Sequence, residues 1–292
     1  MLKIKSDKNY GRVMMISTAL LWGLAGVCVK SIPWNSISIM AARCLIGIIM
    51  LGLYNRSFSL KFNKKTFIGA AFMSLTGLLY MMSIKLTTAA TAIVLQYIAP
   101  ILVFLYSVVF QKLKPRISQI IIVFVVFGGC FLSFADQLDV THIIGNILGV
   151  ASGISFAAQI IMFNDKEMDS SGGMYLSNVL SFVVCFPFMF FDEGMDFSGK
   201  TIFWVLILGV FQYGLANILY AKGCQKIDKV ESSLLLTIEP IFNPIPVAIV
   251  CGEMPGRLAI VGFVVVIAGV TAYAVLPMLE EKLKKSKQPD NV

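Results

Sequence analysis

The chain has 292 residues, of which 58% are hydrophobic and only 14% charged, against about 25% charged in soluble domains. That composition excludes a water-soluble globule and indicates a polytopic membrane protein. The formal net charge of +8 does not signal nucleic acid, because the basic residues stand in short clusters between apolar runs, where they set membrane orientation.

The N-terminal stretch, residues 1–12, is polar and basic, and the first apolar run carries no small-residue cleavage site, so a retained first span is expected. Apolar runs follow at residues 13–29, 37–54, 67–84, 88–110, 117–134, 143–163, 173–191, 202–221, 230–250 and 258–276. Ten membrane-spanning helices are therefore predicted, several near the lower limit of about 17 residues. With the N-terminus inside, nineteen of the 24 Lys and Arg residues fall on the cytoplasmic side. Lys30, Lys85, Lys200 and Arg257 fall outside, and Arg43 lies within a span. This bias predicts both termini in the cytoplasm, and a bacterial cytoplasmic membrane is the expected location.

Taken in order, the spans carry few polar groups. Trp22 is in the first span, Arg43 in the second and Tyr80 in the third; Gln96 and Tyr97 precede Pro100 in the fourth. Proline removes an amide donor and frees carbonyls one turn earlier, ready to act as ligands or simply to kink the helix. Gly145, Gly149 and Gly153 recur every four residues in the sixth span, a pattern for close helix packing. Phe156 and Gln159 follow. In the eighth span Tyr213, Asn217 and Tyr220 stand at i, i+4 and i+7, one α-helical face; Tyr220, nearer the cytoplasmic end, reads as interfacial. The ninth span holds Glu239 beside Pro240, with Pro244 and Pro246 beyond. A carboxylate at the centre of a span costs about 3 kcal/mol or more, so its default reading is a functional site.

Cys28, Cys44, Cys130, Cys185, Cys224 and Cys251 occur singly and read as buried thiols, and the one histidine, His142, has no metal-binding neighbour. No metal and no cofactor is expected. Asp165 to Asp169 and Asp192 to Asp196 each read Asp-x-x-x-Asp, a spacing suited to magnesium and diphosphate, but the seventh span separates them. No enzyme is expected.

A shift of 140 residues aligns Tyr80 with Tyr220, Pro100 with Pro240, Pro115 with Pro255 and Gly129 with Gly269. A repeat of five spans, an odd number, places the second copy upside down. Residues 1–138 and 139–292 are thus expected to form two inverted halves of one transport domain, the second ending in a basic tail that holds topology or touches anionic lipid.

The motifs Ala19-Leu-Leu-Trp22-Gly23, Arg43, Thr88-Ala-Ala-Thr91, Tyr97-Ile-Ala-Pro100, Glu239-Pro240 and Gly252-Glu253, in this order, are similar to those of the drug/metabolite transporter superfamily, EamA type. The resemblance covers nearly the whole chain and implies a ten-helix inverted-repeat carrier for a small molecule. It departs at Gln111-Lys112, where Gly-Glu is common, and in lacking a membrane glutamate in the first span.

Trp22, Tyr80, Gln96, Tyr97, Gln159, Tyr213, Asn217 and Glu239 are the candidate substrate-binding residues, with Pro100, Pro240 and Pro244 as hinges. Aromatic faces and one carboxylate favour an organic cation such as choline, moved by alternating access. Transport is driven either by the membrane potential or by proton exchange at Glu239. Arg43 points instead to an exporter of amino acids or another zwitterion, unless it pairs with Glu239. A lipid-linked sugar flippase is the third reading, disfavoured by the lack of further mid-span cations.

Overall fold

The computed structural model describes residues 2–59, 63–87, 89–135, 138, 141–252, 254 and 256–287, with side chains also set aside at 2–6, 89–90, 251 and 277–287. Thr88, Glu253 and Pro255, residue 139 at the expected boundary between halves, and the side chains of the basic tail lie outside that description. Among the described residues every regular element is helical.

Ten helices are long and apolar enough to cross a membrane: Asp7–Ser31, Ser36–Asn55, Lys64–Leu86, Thr91–Val109, Ile117–Phe134, Ile143–Phe163, Ser170–Phe191, Gly199–Lys226, Lys229–Val250 and Arg257–Leu276, hereafter spans 1 to 10. Spans 1 and 8 run past the apolar segments on which they were predicted, because amphipathic and basic end turns continue the helix beyond the hydrophobic stretch. Short polar side chains start several of them. Asn35 Oδ1 accepts from the Ile37 and Ser38 amides at 2.9 Å each, and Asp228 Oδ1 accepts from the Glu231 amide at 2.8 Å. Such caps contribute about 1 kcal/mol each.

Helix packing pairs spans in a regular way. Span 3 lies along span 6 and span 8 along span 1; span 4 meets span 6 and span 9 meets span 1; span 2 meets span 8 and span 7 meets span 3. Spans 4 and 5 touch, as do 9 and 10, while 2 with 7, 4 with 9 and 5 with 10 cross between the halves. Exchanging each span with the one five places along maps these pairs onto one another, while spans 3 and 4, 7 and 8, and 6 and 9 also touch outside that pattern. The sixth-span glycines pack as expected: a Cβ on Gly153 would stand 2.7 Å from the Leu95 carbonyl oxygen. The outer faces of spans 5 and 10, with Ile121, Phe124, Phe131, Val264 and Ile267, remain exposed as an apolar surface for lipid. Cys28, Cys44, Cys130, Cys185 and Cys224 are free and buried.

Span 7 ends in a 3-10 stretch, Phe186–Phe191; four other spans are irregular, and all four carry candidate site residues. Span 1 breaks at Gly23 and Leu24, between Leu2–Trp22 and Ala25–Ser31. Span 4 breaks between Ala89–Gln96 and Ala99–Val109, and span 9 between Lys229–Leu236, Ile238–Phe242 and Pro244–Cys251. Under the 140-residue shift, Tyr97 at the span 4 break falls on Thr237 at the span 9 break. Pro100 and Pro240 follow each break by the same interval, and their missing amides account for both interruptions. Span 8 contains a π-helical stretch, Leu208–Leu215, a local widening common at functional positions.

Candidate functional site

Glu239 lies just beyond the span 9 break and is half-buried. Pro240 has no N–H, so the Leu236 carbonyl one turn earlier lacks its usual helical donor. The Tyr97 hydroxyl occupies that gap, 3.1 Å from the Leu236 oxygen and 2.7 Å from Glu239 Oε2. Tyr97 is itself 2% exposed and held edge-on to Phe156, ring centroids 5.9 Å apart. The break in span 1 packs here as well: a Cβ on Gly23 would meet the Phe242 ring at 2.8 Å and the Glu239 carbonyl oxygen at 3.2 Å. The break of span 4 thus reaches the Glu239 carboxylate and the break of span 1 packs on the Glu239 backbone, an arrangement like that by which broken helices form midplane binding sites.

A second charge stands apart from the first. Arg43 is buried in span 2, its guanidinium carbon 4.6 Å from the centroid of the Tyr213 ring. Its Nε has no hydrogen-bond partner, and among the described residues it makes no ion pair within 4.0 Å. The expected alternative of an Arg43–Glu239 pair is thus not formed, because each group is engaged by a tyrosine of another span. Tyr80 of span 3 lies within electrostatic reach of both.

Beside Arg43 is a residue that the sequence did not single out. Asn178 of span 7 is fully buried, and neither its Oδ1 nor its Nδ2 has a partner. One turn beyond Arg43, Gly47 makes room for it: a Cβ there would stand 3.1 Å from both Asn178 Nδ2 and the Tyr213 ring. Asn217, also fully buried, has both amide atoms unpaired, and Gln212 has an unpaired Oε1. Buried amides left unpaired cost about 1–3 kcal/mol each, so each of these positions suits a polar guest or water.

The other expected residues divide between these groups and plain packing. Gln96 turns to span 6 and donates to Ser152 Oγ at 3.0 Å. Trp22 stacks on Tyr220 at 5.5 Å with the rings 22° apart, and Tyr220 meets Phe163 edge-on. Tyr220 is 0% exposed, which corrects its interfacial reading; Gln159 is its polar neighbour. Tyr213, Asn217 and Tyr220 do not form one α-helical stripe, since the π-helical stretch carrying Tyr213 shifts the phase. Tyr213 faces span 2 while Tyr220 faces spans 1 and 6. The two Asp-x-x-x-Asp motifs serve structure. Asp169 caps span 7 and Asp165 pairs with Lys65, while Asp192 accepts from the Asn35 amide and Asp196 from Ser198 at the other end of span 7. Among the described residues no group of His, Cys, Asp or Glu is arranged to hold a metal.

Comparison with known proteins agrees with this architecture. The model of the EamA-like transporter family matches the chain twice, over residues 9–135 and 143–274. An uncharacterized inner membrane transporter of Salmonella typhimurium, YicL, is 25% identical over 256 residues, covering 80% of this chain and 84% of that protein. An uncharacterized transporter of Archaeoglobus fulgidus is 24% identical over 267 residues, covering 90% and 95%. A protein of known crystal structure shares 16% identity with a TM-score of 0.79 over 94% of this chain and 99% of its own, a likeness of fold alone. Two matches to one family model, spanning ten apolar helices, identify an integral membrane transporter, not an enzyme, and the chain belongs to the EamA-like transporter family.

Proposed function

We propose that this protein carries a small zwitterionic metabolite, one bearing an ammonium and a carboxylate as amino acids do, across the cytoplasmic membrane by alternating access. The observation behind this reading is that Glu239 and Arg43 share the interior without pairing. Glu239 suits the ammonium end. Arg43 with the unpaired amide of Asn178 suits the carboxylate end, and Tyr80 lies within electrostatic range of both charges. A guanidinium engages a carboxylate through a planar fork of donors, and Arg43 has a donor to spare.

The halves, residues 1–138 and 139–292, are read as inverted repeats with both termini in the cytoplasm. The double family match, the exchange of the main helix contacts and the common break at Tyr97 and Thr237 support the repeat, and the Lys and Arg bias supports the orientation. Rocking about Pro100, Pro240 and Pro244 then exposes the site to each side in turn. An organic cation such as choline is the second reading, favoured by the partly accessible surface of Glu239 beside Tyr97. It is weakened by the fixed positive charge of Arg43 over Tyr213, one of the aromatic faces such a cation would need.

Thermal stabilisation of the purified protein by amino acids, choline, other quaternary amines and nucleotide sugars decides between them. Stabilisation by amino acids that is lost in both Glu239→Gln and Arg43→Gln is expected. Stabilisation by choline alone, lost in Glu239→Gln and kept in Arg43→Gln, would overturn the zwitterion reading in favour of the cation.

A further inference from the structure

The Leu236 carbonyl, the Tyr97 hydroxyl and Glu239 Oε2 form a chain of three oxygens, with the hydroxyl in the middle at 3.1 and 2.7 Å from its neighbours. A carbonyl only accepts, and an ionised carboxylate only accepts, whereas a phenol has one proton to give. With Glu239 ionised, two acceptors compete for that proton and one close oxygen pair is left without a hydrogen between its members. With a proton on Glu239, the carboxylic acid donates to the phenol oxygen and the phenol donates to Leu236. Both contacts are then hydrogen bonds of consistent direction, reinforcing one another in a low-dielectric setting.

We propose that Tyr97 and Glu239 form a proton-binding site, loaded in this conformation, and that the ammonium of the substrate replaces the proton. Release leaves a Glu239 carboxylate and delivers one proton to water on the open side. The ammonium then supplies the positive charge and the hydrogen-bond donors that the proton had supplied, so one proton leaves for each ammonium bound. Pro240 is a working part of the site, since it frees the carbonyl that holds the phenol's proton in the loaded state. The exchange step rests on the zwitterion reading; the proton site does not.

The charged and titratable groups facing Glu239 are few. Span 4 offers Tyr97, with Cys130 of span 5 behind it; span 3 offers Tyr80, and span 2 offers Arg43 at a distance beyond an ion pair. Span 1 presents the backbone of Gly23. Tyr273 of span 10 is turned to Asp228 and Glu231 at the far end of span 9.

Infrared difference spectroscopy on the purified protein at neutral pH tests the site without knowledge of the cargo. The wild type should show the C=O stretching band of a protonated carboxylic acid that is absent from Glu239→Gln. In Tyr97→Phe, which keeps the ring against Phe156, the band should move toward the frequency of a free acid. No such band in the wild type, or a band unchanged in Glu239→Gln, would overturn the proton site. Alanine and choline, added in turn, test the exchange: a ligand that stabilises the protein thermally should diminish the band, and one that stabilises without diminishing it would overturn the exchange. If no amino acid of the stabilisation panel stabilises the protein, the zwitterion reading fails, and the band still decides whether Glu239 holds a proton.

Discussion

Arg43 lays its guanidinium over the ring of Tyr213, 4.6 Å from the centroid, while its Nε remains without a partner. The pair couples span 2 to the π-helical stretch of span 8 and leaves a cation half engaged in an apolar interior. Cation–π contacts are worth about 0.5–2 kcal/mol depending on desolvation. Tyr213→Phe should keep the contact and change thermal stability little, whereas Tyr213→Leu should lower it by about 1 kcal/mol or more. Arg43→Lys, which retains charge but loses the flat fork, should behave like Arg43→Gln in ligand binding. A Lys variant that binds as the wild type does would show that only the charge matters.

Tight packing between spans 4 and 6 makes a second prediction. A Cβ on Gly153 would meet the Leu95 carbonyl oxygen at 2.7 Å and the Gln96 carbonyl oxygen at 3.0 Å, both backbone atoms that move only if span 4 moves. Gly128, on span 5, has nothing within 4 Å. Overpacking costs about 1–3 kcal/mol, while Gly to Ala in an open helix gains up to about 1 kcal/mol. Gly153→Ala should therefore lower the thermal midpoint and Gly128→Ala should leave it level or raise it. Equal effects would mean that spans 4 and 6 yield freely.

How much of this was legible beforehand depended on how local the cause was. The ten spans follow from hydrophobic length, and the breaks in spans 4 and 9 follow from Pro100 and Pro240, residues whose effect is felt one turn away. Glu239 announced itself because a lone carboxylate stands out in an apolar run. Asn178 did not, since it lies in a span rich in small polar residues, Ser170, Ser177 and Ser181, and only packing against Gly47 shows it to be unpaired where serines are satisfied. The stacking of Trp22 on Tyr220 joins residues about two hundred positions apart, and the π-helical stretch defeats any reading based on 3.6 residues per turn.

Acid should weaken one surface tie in a defined direction. The Glu167 amide donates to Asp165 Oδ1, and Lys65 Nζ adds a contact of 3.2 Å to Oδ2. That backbone hydrogen bond first, and Lys65 after it, hold the Asp165 carboxyl below its usual range. A depressed folded-state value gives stability that is present above the unfolded value, about 3.9, and is lost as pH falls through the folded one. The melting difference between wild type and Asp165→Asn should be constant near neutrality and shrink below about pH 4. A difference that instead grows on acidification would reverse the assignment.

The end of span 9 away from the Pro244 break is fastened more firmly. Glu231 is 2% exposed and takes Arg12 Nε and, at 2.9 Å, Lys8 Nζ, while Arg12 Nη2 also donates to the Ala274 carbonyl of span 10. Lys226 reaches Asp7 in the same neighbourhood. These contacts clamp span 1 to spans 8, 9 and 10, the pairs that must part if this end opens. Arg12 is largely covered and Lys8 is not, so the two should differ. Removing one partner of a buried pair costs about 3–5 kcal/mol, whereas exposed pairs contribute about 0–1 kcal/mol. Arg12→Gln should therefore destabilise markedly and Lys8→Gln little. Glu231→Gln, which leaves Arg12 a neutral acceptor, should fall between them while loosening the clamp. Buried Cys224 reports on opening, because the adjacent Gly223 packs on Met14 and Gly11 of span 1. Maleimide labelling located by mass spectrometry should be slow at Cys224 in the wild type and several-fold faster in Glu231→Gln. Labelling at the wild-type rate in a folded Glu231→Gln protein would show that the clamp stabilises the helix ends without closing a path.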